Sequence, residues 1–149
     1  MADRNATVVW TGTLTEGQGE LSTQSGALDH APVTWASRME APAGKTSPEE
    51  LLAAAEAECY AMGLVNLLKT EGHPATRIEV KATASIERGD QGLRITTMSL
   101  DVSGDVPGID QHQFNQYADR SEQSCPVSNA LRGNVKISVN ARLTEPAGR

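Results

Sequence analysis

Little in this sequence is aromatic, little of it is cysteine, and nothing in it is strongly basic. Two tryptophans, two tyrosines and one phenylalanine are spread over 149 residues. A core must therefore be built from Ala, Val, Ile, Leu and Met, and so lean a core favours burial of helix surface against a second chain. Lys and Arg number 13 against 19 Asp and Glu, a formal net charge of −6. No basic stripe is visible of the kind that phosphate binding requires, so nucleic acid is not an expected partner. No run of about 18 consecutive apolar residues marks a membrane span, and the opening MADRNATVVW holds no apolar stretch of signal-peptide length. The expectation is one domain over residues 1–149, cytoplasmic, with neither membrane nor nucleic acid as partner.

The two cysteines, Cys59 and Cys125, are the whole stock. In a reducing compartment a static disulfide is disfavoured, which leaves buried hydrophobes, metal ligands or redox chemistry. Metal is the weakest of these, because there is no CxxC and His30, His73 and His112 show no ligand spacing. GKTS at 44–47 lacks the glycine that a phosphate loop needs five positions upstream, where Met39 stands. GTLTEGQGE joins two strands, whereas a dinucleotide fingerprint opens a helix. No cofactor and no metal are expected, and electrons must come from outside.

The periodicity sets out an α+β order of three strands, a helix, two strands, two helices and a strand. TVVWTGTLT and ELSTQSG alternate around the turn-like EGQG as a hairpin, and APVTWASRME reads as a third strand. A helix opens at Ser47 as N-cap, with Pro48 at its first position and Glu50 completing a capping box. It closes near Lys69 and Gly72. Its interior is apolar on most faces and rich in Ala, with Gly63 among them, as in a central buried helix. TRIEVKATASIER and LRITTMSLDVSG form a long hairpin across GDQG. DQHQFNQYADRSEQ is a polar helix with Phe114, Tyr117 and Ala118 on one side, and PVSNALRG is a short helix that Gly133 stops. NVKISVNARL is the last strand, facing inward with Val135, Ile137, Val139 and Ala141, and TEPAGR is a loose tail.

Cys59 lies in AAAEAECYAMG, where a buried small hydrophobe is its bland reading. Glu56 is one turn before it and Glu58 adjacent. Carboxylates so close raise a thiol above its usual value of about 8.5, so a basic partner is implied. Cys125, followed by Pro126, takes the N-cap of the short helix. There free N–H groups and the helix dipole stabilise a thiolate, or Cys125 simply stands in for a capping Ser.

TSPEELLAAAEAECYAMGL, VPGID and CPVSNAL together resemble the osmotically inducible protein C and organic hydroperoxide resistance (OsmC/Ohr) family, from VVWTGTL to the final strand. The stretch from SGAL to SRMEAPAGKTSPEEL is more similar to the OsmC branch. The resemblance implies an OsmC-like fold with antiparallel sheets around a central buried helix, in an intertwined homodimer. It implies a peroxidase acting on organic hydroperoxides or hydrogen peroxide, with Cys59 attacking, Cys125 resolving, and Arg38 and Glu49 as the family's arginine and glutamate. Two departures are Glu58, where the family has a small residue, and Ser47, where it has asparagine. A thiolate that attacks a peroxide O–O bond becomes a sulfenic acid, and a second thiol condenses with it to a disulfide. Arg38 would hold the thiolate and stabilise the leaving oxygen, and Glu49 would orient the guanidinium. An external thiol or dithiol, lipoyl-type in the Ohr branch, would reduce the disulfide. Ten helical residues from Glu49 to Cys59 span about 15 Å, so a site using both is expected to draw Glu49, with Arg38, from a partner chain. The competing reading is a redox-sensing or ligand-binding module whose cysteines oxidise stoichiometrically.

Overall fold

The β-branched and aromatic alternation of ATVVWT and the shorter QGELST pair as β1 (Ala6–Thr11) and β2 (Gln18–Thr23), antiparallel with Val8 opposite Leu21 and Trp10 opposite Gly19. This computed structural model describes residues 1–145. A Cβ on Gly19 would lie 2.8 Å from the Trp10 ring and 2.7 Å from Val33 Cγ2, so only glycine lets the three strands pass there. β3 is shorter than expected, Ala31–Val33. Thr34 ends it. Its hydroxyl accepts from the Ser37 N–H at 3.1 Å while the Ser37 hydroxyl accepts from the Thr34 N–H at 3.1 Å. That reciprocal cap turns the rest of the expected strand into α1 (Trp35–Met39).

The long helix α2 (Pro48–Thr70) starts as expected, with the Glu50 N–H donating to Ser47 Oγ at 3.1 Å. It stops in a Schellman turn: Gly72 has φ of 86°, and the His73 N–H donates to Leu68 O at 2.8 Å. By length and mean hydropathy α2 could cross a bilayer. Its Tyr60, Leu64 and Leu68 are instead wholly buried in a protein core.

The chain divides into two compact units, one through Leu51 and one from Leu52 onward. The first holds β1, β2, β3 and α1, with the strands in the order β1-β2-β3. In the second, β4 (Arg77–Gly89) and β5 (Gly92–Asp105) form the expected hairpin, with a bulge at Ser85/Ile86. α3 (Gln111–Ser124), α4 (Pro126–Leu131) and β6 (Lys136–Leu143) follow. The core joins Tyr60, Leu64 and Leu68 of α2 to Met98, Leu100 and Val102 of β5 and Phe114 of α3. Each such side chain contributes about 1.5–3 kcal/mol over leaving it in water, which makes this cluster the main stabilising feature of the unit.

Two further expectations need correction. The sheets are not antiparallel throughout, because β6 lies parallel to β5, with Leu100 opposite Val139. After β5 the chain crosses through α3 and α4 to the end of the sheet at which β5 began, and a strand that enters there runs parallel to β5. α2 is also not buried all round: Glu56, Tyr60, Leu64 and Leu68 line its inner face, while Ala54, Ala55, Met62 and Val65 are exposed in the single chain. Of the expected loose tail, Thr144 is tied by its N–H to Gly104 O at 2.7 Å, and residues 146–149 lie outside the described residues.

Candidate active site

A five-residue helix has little stability of its own, so the position of Arg38 in the last turn of α1 depends on the Thr34–Ser37 cap. From there Arg38 Nη2 donates to Glu49 Oε1 at 2.8 Å, and Nε donates to Oε1 at 3.1 Å and Oε2 at 3.3 Å. The Glu49 side chain is 9 % exposed. A forked, largely desolvated pair of this kind fixes the guanidinium plane, and Trp35 adds to this with its ring 5.9 Å from Arg38 Cζ. Arg38 also lines an apolar groove of about 320 Å³ with Trp10, Leu14, Trp35 and Leu51. All of these belong to the first unit.

The thiols belong to the second. Cys59 is half-buried on α2, Cys125 is buried at the N-cap of α4, and both are free. The two side chains are near enough for Cys125 to act on the Cys59 thiol although they are far apart in sequence. Burial pushes the Cys59 thiol up. The Val127 backbone N–H pulls it down, and Cys125 and the Glu56 carboxylate push it up further. Cys125 caps the helix in position, but its side chain makes no capping hydrogen bond; its Sγ donates to Glu56 Oε1 at 3.9 Å.

Glu56 is wholly buried, and its Oε1 also accepts the Ser128 hydroxyl. Neither of its donors is basic, and the basic partner expected for the Cys59 thiol is not among them. Ser128 was not singled out in the sequence; its only signal is its place one helical turn after Cys125. Tyr60, next to Cys59, packs its ring in the core and donates its hydroxyl to Ala118 O at 2.9 Å. Its phenol is pushed well up, by burial first and then by Asp119, Glu122, Cys125 and Glu56. The four residues taken from the sequence thus form two pairs, Arg38 with Glu49 and Cys59 with Cys125, each within one unit. Among the described residues no three His, Cys, Asp or Glu side chains converge as metal ligands.

Known proteins carry the same architecture. Peroxiredoxin OsmC of Escherichia coli is 36% identical over 133 residues, covering 89% of this chain and 92% of that protein. Organic hydroperoxide resistance protein-like 1 of Staphylococcus saprophyticus is 28% identical, over 85% and 89% of the two chains. The crystal structure of an organic hydroperoxide resistance protein from Elizabethkingia anophelis superimposes with a TM-score of 0.77 at 22% identity, over 97% of this chain and 98% of that one. The family model of OsmC-like proteins matches residues 41–140, from the loop before α2 into β6. With an α+β fold shared along nearly its whole length, this chain belongs to the OsmC-like family.

Proposed function

We propose that the protein is a thiol peroxidase that reduces organic hydroperoxides, and hydrogen peroxide, to alcohols or water. The observation that carries this reading is the pair of free thiols, Cys59 half-buried on α2 and Cys125 buried before α4, near enough for the second to act on the first. The names peroxiredoxin and organic hydroperoxide resistance protein among its relatives support it. Cys59 attacks the O–O bond, the alcohol leaves, and the sulfenic acid condenses with Cys125 to a disulfide and water. An external thiol or dithiol then reduces that disulfide.

Arg38, steered by Glu49, polarises the peroxide and stabilises charge on the leaving oxygen. The apolar groove along which the guanidinium lies suits a hydroperoxide with a hydrocarbon body. α2 is one continuous helix, so Glu49 and Cys59 of one chain are about 15 Å apart along its axis. The complete site is therefore shared across a homodimer, with the arginine pair supplied by the partner chain. Both compact units act as one OsmC-like domain, consistent with a family match that crosses from one into the other. The cytoplasm, where dithiol reductants are available, is the proposed compartment.

The test is turnover of cumene hydroperoxide with excess dithiol, in the wild type and in Cys59→Ser. Many equivalents consumed per chain, and none by the variant, is the expected result. Consumption that stops at one equivalent whatever the dithiol would point to a redox sensor and remove the peroxidase reading.

A further inference from the structure

Every buried carboxylate carries a desolvation cost, and Glu56, wholly buried against Cys125 and Ser128, carries it with no cation among its hydrogen-bond partners. A residue kept only for packing would be apolar here. Two donors converge on one of its oxygens: the Ser128 hydroxyl and, at 3.9 Å, Cys125 Sγ. The other oxygen, Oε2, is buried and has no hydrogen-bond partner among the described residues. Cys59 is close enough for the carboxylate charge to act on it. The chemistry proposed above asks nothing of Glu56, yet the second step has an unmet need. Cys125 must lose its proton before its sulfur can attack, and the oxygen leaving Cys59 must gain one.

We propose that Glu56 is the general base of the resolving step, accepting the Cys125 thiol proton and returning it to the departing oxygen. This role rests on the peroxidase reading. Cys59, already a sulfenic acid through the hydroperoxide, carries Sγ–OH. The Cys125 S–H bond breaks, its proton passes to Glu56, and the electron pair left on sulfur forms the S–S bond. The Cys59 S–O bond breaks with its pair on oxygen, and the hydroxide takes the proton from Glu56 as water. Cys125 is oxidised, Cys59 is reduced from the sulfenic level, and the carboxylate ends as it began. Oε1, already the acceptor of the thiol, takes the proton. The unpartnered Oε2 leaves the group a second oxygen from which to return it. Ser128 holds the carboxylate in place and does not itself react.

The experiment mixes reduced protein with one equivalent of cumene hydroperoxide and quenches at intervals with a thiol-blocking reagent. Intact mass then follows the sulfenic acid as a first phase and the Cys59–Cys125 disulfide as a second. In Glu56→Gln, which keeps the shape and the Ser128 contact, the ratio of second-phase to first-phase rate should fall by about a hundredfold. Its second phase should also climb about tenfold per pH unit through neutrality, as an unaided thiol ionises. The titratable groups that face this carboxylate are Cys59 and Tyr60 of α2 and Cys125 before α4, with Asp119 and Glu122 of α3 acting on Tyr60. Wild-type protein alone gives a second measurement, independent of how the variant folds: with a built-in base its second phase should not climb tenfold per unit. A variant ratio within about twofold of wild type, or a wild-type second phase with the full tenfold climb, overturns the role of Glu56 alone. Failure of the wild type to form the disulfide overturns the peroxidase reading and this role with it.

Discussion

At the scale of single residues, the site is a contest over protons. Burial, Cys125 and the Glu56 carboxylate hold the Cys59 thiol up, and the one counterweight within its own unit is the Val127 amide. A partner's guanidinium is what the proposed chemistry adds. In the proposed cycle Cys125 has a different task, and its loss should separate the two steps. Cys125→Ser is expected to consume about one equivalent of peroxide and then to accumulate sulfenic, sulfinic and sulfonic acid at Cys59, resolved by intact mass. A variant that fails to react with the first equivalent would show that Cys125 does more than resolve. Tyr60 provides a pH prediction. Its folded phenol lies above its unfolded value of about 10 because burial disfavours the phenolate. The stability this contributes is fully present below pH about 10 and is lost as pH rises toward the folded value, since only the unfolded chain releases the proton easily. Tyr60→Phe should therefore be less stable than wild type at neutral pH by about 1 kcal/mol, from the lost bond to Ala118 O. The gap should narrow in urea melts carried above pH about 10.

At the scale of elements, two helices have the same kind of cap and different duties. Thr34 caps α1, and Asp110 caps α3 with its carboxylate accepting the Gln113 N–H at 2.8 Å. Thr34→Ala and Asp110→Ala should each cost about 1 kcal/mol in urea denaturation. Only the first should cut peroxidase activity severely, about tenfold or more, because in the proposed mechanism α1 aims Arg38. Equal activity losses in the two variants would deny α1 that role. The same helix shows where the sequence stopped being legible. TWASRM alternates well enough for a strand, and the reciprocal Thr34–Ser37 bonds that override it are a choice of local hydrogen bonds that periodicity does not record. The start and stop of α2 were readable because Ser47, Pro48 and Gly72 act within a few positions of themselves. The direction of β6 was not readable, since alternation is the same for parallel and antiparallel strands. The surroundings of Glu56 were hidden for a third reason: its partners Cys125 and Ser128 come from α4, far along the chain, and only the fold joins them.

At the scale of the whole molecule, α2 keeps one apolar side without a partner in the single chain, with Met62 61 % exposed and Val65 44 % exposed. Small residues, Ala54 and Ala55, extend that side, as a helix packing against its own copy would need. The shared-site proposal is tested by co-expressing Cys59→Ser with Arg38→Met under two tags and isolating the mixed dimer. Each variant alone should be inactive, and the mixed dimer should regain about half of wild-type activity, one complete site of two. A folded but inactive mixed dimer would mean that Arg38 serves its own chain. The parallel β5–β6 ladder has a consequence for the order in which the chain assembles. β4 and β5 close across a two-residue turn, but β6 can join only after residues 106–135 have been threaded into α3 and α4. Contacts so distant along the chain form late, since their loop entropy is spent before they repay it. α4 carries Cys125, so the two sulfurs meet only as the sheet is completed. On this order of assembly, Cys59 is made before Cys125 can reach it, and an oxidant met at that stage would find a thiol without the partner that the proposed cycle requires.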